Sequence, residues 1–144
     1  MNRSSEHESQ TPGIERSEQR STFRHHVNDA TVRTFATDAA RLIADSHGED
    51  IVLLDVRQMS DISDYILIAS GTSDRQMRSV ADDIEELAQE RGLERFGGER
   101  DDATTWIVLD FVDVIVHLFE PNTRAHYDLE MLWGDAPRID WRRS

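Results

Sequence analysis

The sequence predicts an α/β fold, a mixed β-sheet with helices packed on it. Three observations carry this. Residues 51–56, 65–69, 106–110 and 114–119 are short apolar or β-branched runs, too compact for surface helices. Three other stretches repeat apolar residues at spacings of three and four, and the order is helix, two strands, helix, hairpin, helix. At 144 residues the chain holds one domain.

The elements follow in order. Residues 1–28 contain only Met1, Ile14, Phe23 and Val27 from the apolar set, too little to offset the entropy of ordering them, and read as a disordered N-terminal tail ahead of a domain over 29–144. Glu6, Glu8, Glu15 and Glu18 argue against a transit peptide, and no apolar core of a secretion signal is present. From Asn28 or Asp29 as cap, Val32, Phe35, Ala36, Ala39, Leu42 and Ile43 mark an amphipathic helix that stops at Gly48. Two buried strands come next, joined by the polar, Asp- and Ser-rich turn or hairpin loop of residues 58–64. Gly71 supplies a turn, Ser73 and Asp74 cap a second helix with Met77, Val80, Ile84, Leu87 and Ala88 on one stripe, and Gly92 stops it. Residues 106–119 form an antiparallel hairpin. Pro121 and Asn122 open a last helix in which Ala125, Leu129 and Leu132 share one face, ended by Gly134 with Pro137 beyond.

Charge narrows the function. With 29 acids against 16 arginines and no lysine, the net charge of −13 repels phosphate, so DNA binding or phosphate tracking is not expected and a basic partner is. The first 30 residues hold five acids and four arginines, leaving 24 acids against 12 arginines beyond them, so the acidity belongs to the folded domain. Absence of lysine removes Schiff-base and P-loop chemistry; absence of cysteine removes disulfides, thiolate catalysis and Cys-based zinc sites. A cysteine-free chain suits a reducing cytosol without fixing the compartment; a cytoplasmic location is the expectation for the chain as a whole. No apolar run approaches the ~20 residues that cross a bilayer.

Several groups invite a catalytic or metal-binding reading. Gly71, Thr72 and Ser73 follow a strand, with Asp83 and Glu85 downstream, as a nucleotidyltransferase would place a phosphate turn and paired Mg²⁺ carboxylates. On a helix, residues two apart diverge by roughly 200°, so Asp83 and Glu85 flank the buried Ile84 and cannot share an ion. Ser73 and Asp74 read as capping residues, with anion binding at the helix start the alternative. Asp110 and Asp113 read as turn aspartates bonded to their own backbone, so no metal is expected there. His7, His25 and His26 lack a fixed third ligand. His117 shares a strand face with Ile115 and Phe119 and has no assignable nucleophile partner; it is half-core or part of a recognition surface. No catalytic residue and no cofactor is expected.

The last helix is the segment least explained by folding. Arg124 with Asp128 and His126 with Glu130 would be i,i+4 pairs, and Tyr127 would be presented between Arg124 and Glu130. Tyr, Trp and Arg anchor interfaces, and Trp106 on the hairpin adds to the strip. Whether Trp133 and Trp141 belong to core or surface stays open.

Residues 54–56, 63–65, 71–76, 106–110, 113–117 and 124–133, in this order, resemble the ribosomal silencing factors of the Iojap family, the likeness covering roughly residues 30–137. Two positions depart from that pattern: Val112 replaces a turn glycine, which suggests a different turn type because Val fits positive φ poorly, and Gly97 stands where a Glu is common. The resemblance implies a nucleotidyltransferase-like fold without the catalytic carboxylates. It implies a non-enzymatic translation repressor that binds the large-subunit ribosomal protein usually called L-fourteen and sterically blocks association of the two ribosomal subunits under nutrient limitation. The expected partner-contact residues are Trp106, His117, Arg124, Tyr127, Asp128 and Glu130. Homodimerisation of the free chain through the same strip, and a nucleotide-binding or nucleotidyltransferase-type enzyme built on Gly71, Thr72 and Ser73, are the alternatives.

Overall fold

The computed structural model describes residues 27–99 and 105–143. Residues 1–26 of the expected tail, with the histidines at 7, 25 and 26, lie outside the described residues. Val27 rests partly buried on the main core, and the Asn28 side chain caps helix α1 (Asp29–Asp45) by accepting from the Thr31 N–H at 2.9 Å.

The sheet has the order β1-β2-β5-β4-β3, built from β1 (Glu49–Asp55), β2 (Tyr65–Ser70), β3 (Gly97–Glu99), β4 (Trp106–Asp110) and β5 (Val114–Phe119). β2 and β5 are parallel; the other neighbours are antiparallel, which makes the sheet mixed as expected. The short edge strand β3 was not legible in the sequence, since its first two residues are glycines.

Helix α2 (Asp74–Glu90) starts on Ser73, whose hydroxyl accepts from the Gln76 N–H at 3.0 Å. Beyond it Gly92 adopts φ +81°, which only glycine takes without strain, and lets Leu93 N–H return to the Ala88 carbonyl at 2.9 Å. α1 and α2 lie on the same face of the sheet. Val32, Phe35, Ala36, Ala39, Ala40 and Ile43 of α1 and Met77, Val80, Ala81, Ile84 and Ala88 of α2 pack there against Leu53, Leu67, Ala69, Leu109, Val116 and Leu118. The three small alanines of α1 leave room for two helices side by side. At the start of α1, the buried Tyr65 donates to Asp29 at 3.0 Å, with the Arg57 guanidinium over its ring and Asp55 holding Arg57 at 2.8 Å.

Two expectations are corrected. The β4–β5 turn keeps positive φ despite its valine: Val112 sits at φ +73°, and Asp113 N–H bonds to the Phe111 carbonyl at 2.9 Å, a three-residue turn. The strain is overridden locally, because Val112 N–H donates to Asp110 Oδ1 at 2.8 Å and its carbonyl accepts from the Ser63 hydroxyl at 2.9 Å.

The last helix is likewise not continuous. Asp128 adopts a left-handed conformation (φ 47°, ψ 53°) and divides it into α3 (Pro121–Tyr127) and α4 (Leu129–Leu132). Aspartate tolerates that region better than most residues. The break abolishes the i,i+4 pairs and the shared face: Ala125 and Leu132 are exposed and Leu129 is half-buried, whereas Arg124 is buried.

Beyond α4 the chain straps the outer edge of β1. Asp55 N–H donates to the Pro137 carbonyl at 2.9 Å, Ile139 N–H to the Leu53 carbonyl at 2.8 Å, and the Trp141 indole N–H to the Ile51 carbonyl at 3.3 Å. Arg41 anchors the strap by donating to the Trp141 carbonyl at 2.6 Å. The edge is thereby closed to further strand pairing. Trp141 packs half-buried on the main core and Trp133 half-buried on the opposite face, which answers the question of their placement.

Candidate functional site

Side chains alternate along strands, so the face turned away from α1 and α2 carries Val52 and Leu54 of β1, Ile66, Ile68 and Ser70 of β2, Ile115, His117 and Phe119 of β5, and Trp106, Val108 and Asp110 of β4. Leu129, Trp133 and Ala136 cover the β1–β2 half of that face, packing with Val52, Leu54, Val56, Ile66, Ile68 and Phe119. The β4–β5 half stays partly open: Trp106, Val108, Ile115 and His117 are all only half-buried.

An aromatic stack rises from this open half. Trp106 stacks on its cross-strand partner Phe119 at 4.9 Å between centroids, and Tyr127 lies over Trp106 at 4.8 Å. His126 meets Tyr127 edge-on at 5.0 Å. The Trp106 indole N–H donates to His117 Nδ1 at 3.1 Å, so the neutral imidazole carries its proton on Nε2. Burial pushes the His117 pKa down to about 4, against a weaker upward pull from Asp110. His117 is therefore an uncharged support for Trp106.

The broken helix projects Tyr127, Met131 and Leu132 outward, with 54%, 75% and 70% of their surface exposed. Large apolar side chains left in the open on one short segment mark an interaction site more than a folding requirement. Met131 was not anticipated and Leu132 was assigned to the core; the turn at Asp128 rotates both outward. The signal in the sequence was weak, a single aspartate inside an otherwise helical pattern.

The expected contact residues thus divide. Tyr127 and Asp128 are exposed and Trp106 lies directly beneath Tyr127. Arg124 is only 8% exposed. Its guanidinium donates through Nη1 to the Ser70 hydroxyl at 2.9 Å and through Nε and Nη2 to the two Glu130 oxygens at 3.2 and 2.8 Å. The same hydrogen bonds from Arg124 hold the Glu130 pKa below the usual carboxylate range.

The turn at Gly71 has a different use from a phosphate cradle. A Cβ there would collide with Met77, so glycine serves helix packing. Thr72 N–H donates to Gln76 Oε1 at 3.0 Å, and Gln76 Nε2 to the Ser46 carbonyl at 2.8 Å, so these polar groups cap α2 and tie it to α1. The adjoining 270 Å³ cleft is lined by Asp74 and Glu120, which repel phosphate. Asp83 is exposed on α2, Ile84 is buried, and Glu85 pairs with Arg95 at 2.7 Å. Asp110 caps its own turn through Val112, as expected. Among the described residues no group of three His, Asp or Glu side chains could hold a metal ion, and no helix is long and apolar enough to cross a membrane.

Comparison with known proteins gives the chain a family context. A family model described as "Ribosomal silencing factor during starvation" matches residues 29–144. The ribosomal silencing factor RsfS of Bacillus subtilis is 41% identical over 102 residues, covering 71% of this chain and 86% of that protein. The chloroplastic Iojap protein of Zea mays is 28% identical over 113 residues, covering 78% of this chain and 49% of that protein. A crystal structure from Chromobacterium violaceum superposes with a TM-score of 0.67 at 28% identity, covering 78% of this chain and 92% of that one. Another, from Bacillus halodurans, gives 0.64 at 31% identity, covering 78% and 99%. With the whole segment from Asp29 onward matched, the chain belongs to the ribosomal silencing factor family.

Proposed function

We propose that the chain represses translation by docking on a basic protein of the large ribosomal subunit, of the L-fourteen type, and thereby sterically blocks association with the small subunit when nutrients are short. The observation that carries this reading is the exposed ridge of Tyr127, Met131 and Leu132 beside Trp106, set on a domain of strongly negative charge. Covering a Leu or Met side chain fully is worth about 1.5–3 kcal/mol, enough for a small ridge to anchor a complex. Asp128, exposed at the helix break, faces the partner's cations and steers the encounter more than it tightens the complex.

The action needs no catalytic group and no cofactor, only bulk at a surface the other subunit must occupy. It takes place in the cytoplasm, where ribosomal subunits meet. Free chains would pair through the same ridge, in which case large subunits dissolve the dimer in light scattering.

Co-sedimentation of the full chain with purified large subunits tests the docking. Tyr127→Ala combined with Leu132→Asp alters only exposed side chains, so binding is lost while the thermal midpoint stays within a few degrees. Retained co-sedimentation of that double variant excludes the ridge as the docking site. Binding by the native chain weakens as salt rises.

A further inference from the structure

Glu130 carries the charge a basic ribosomal partner would be expected to read, yet the structure half-buries it against the buried guanidinium of Arg124. Arg124 is buried and spends three of its donors on Ser70 and Glu130, while each Glu130 oxygen accepts from Arg124. Between the two lies the left-handed Asp128, the one point at which the chain changes direction from α3 to α4. α4 is four residues long and buries none of them fully, so its core contacts hold its angle only through the half-buried Leu129 and the adjoining Trp133. The guanidinium fork instead joins three things that must keep a fixed relation: the end of β2 through Ser70, α3 through its own backbone, and α4 through Glu130. Tyr127 sits one residue before the break and Met131 and Leu132 just beyond it, so this angle sets the shape of the ridge.

We propose that Arg124 is a positioning residue that locks the angle of the broken helix, and that Glu130 serves the ridge by holding Arg124, not by pairing with cations of the ribosomal protein. The inference rests on the docking proposed above and assigns the work within that surface. Lysine cannot replace Arg124, because an ammonium lacks the planar fork that grips both carboxylate oxygens while reaching Ser70. A neutral glutamine at 130 keeps an acceptor oxygen for the fork.

The test uses the full chain with purified large subunits and compares Arg124→Met, Arg124→Lys, Glu130→Gln and Tyr127→Ala at two salt concentrations. Each free variant is also read by the NMR signal of the Trp106 indole N–H, assigned with Trp106→Phe, because the Tyr127 ring above it shifts that resonance. Arg124→Met and Arg124→Lys move the indole signal in the direction that Tyr127→Ala does, with core signals unchanged, and weaken binding about tenfold or more. Glu130→Gln leaves the indole signal in place and holds binding within about threefold, with an unaltered salt dependence. A Glu130→Gln variant that loses both affinity and salt dependence makes Glu130 a direct contact and overturns the inference. So does an indole signal unmoved by both Arg124 variants. Should Arg124→Met fail to fold, Arg124→Lys, which keeps stem and charge, carries the same two readouts. If Tyr127→Ala binds as the native chain does, the docking reading falls, whereas the indole signal still reports on the helix angle in the free protein.

Discussion

Acidification from pH 7 to pH 5 should destabilise this protein through one residue beneath the docking ridge. The His117 pKa lies at about 4 in the folded chain against 6.5 in a solvated imidazole. Because the folded value is the lower one, the unfolded chain takes up the proton first. The stability contributed by the neutral imidazole is intact above pH 6.5 and is lost as pH falls from there through 4. With these two values, linkage makes the loss between pH 7 and pH 5 about 2 kcal/mol for this residue alone. The structural cause is explicit: His117 Nδ1 accepts from the Trp106 indole at 3.1 Å, and protonation there breaks that bond and charges a group packed beside Trp106 and Phe119. The carboxylates of Asp55 and Glu130, held low by their arginines, titrate mostly below this window. Urea unfolding of the native chain and of His117→Gln at the two pH values isolates the effect, since Gln keeps an acceptor for Trp106 and does not titrate. The variant should lose about 2 kcal/mol less than the native chain. Equal losses, or an NMR titration midpoint for His117 near 6.5, would refute the reasoning.

Other consequences are equally checkable. At the strained turn, Val112→Gly should be more stable than Val112→Ala by about 1 kcal/mol, because Ala keeps only one more buried carbon than Gly whereas Gly alone escapes the larger cost of φ +73°; Ala above Gly in urea titrations would show that the turn carries no such strain. Tyr65→Phe should cost about 1 kcal/mol at pH 7 through the lost bond to Asp29. Burial chiefly holds the Tyr65 pKa up at about 12, so the native chain loses stability as pH rises from 10 through 12, and Tyr65→Phe should lose less over that range. Trp141→Ala should lower stability by roughly 2 kcal/mol, since it strips a half-buried indole and its bond to Ile51 from the strap; a change under about 0.5 kcal/mol would mean the strap is not held by that residue.

The layered core was legible because it obeys periods. Val32, Phe35, Ala36, Ala39, Leu42 and Ile43, and Met77, Val80, Ile84, Leu87 and Ala88, repeat at helical spacing, and every member is buried except Leu42 and Leu87, which pack half-buried on the same core. The caps at Asn28 and Ser73 and the stop at Gly92 are local chemistry, readable without tertiary knowledge. What escaped has no local signature. The angle at Asp128 is decided by where Ser70 and Glu130 place the Arg124 fork, and Ser70 is 54 residues away in sequence. The C-terminal strap forms because β1 has an open edge, a property of strand order and not of residues 137–141. β3 is held by pairing to β4 and not by any propensity of its glycines. Within the candidate site, residue types identified Tyr127 and Trp106, whereas only the fold separates the outward ridge of Met131 and Leu132 from the inward pair of Arg124 and Glu130. Family resemblance supplied the ribosomal context, which neither charge nor periodicity contains.

The central claim, repression by occupying the surface where the ribosomal subunits join, is tested most directly by a sucrose-gradient profile of purified large and small subunits mixed with this protein in stoichiometric excess over large subunits. The native chain should co-migrate with large subunits and lower the yield of joined ribosomes, and Tyr127→Ala with Leu132→Asp should leave that yield unchanged. Undiminished joining with the native chain bound to large subunits would contradict steric exclusion outright.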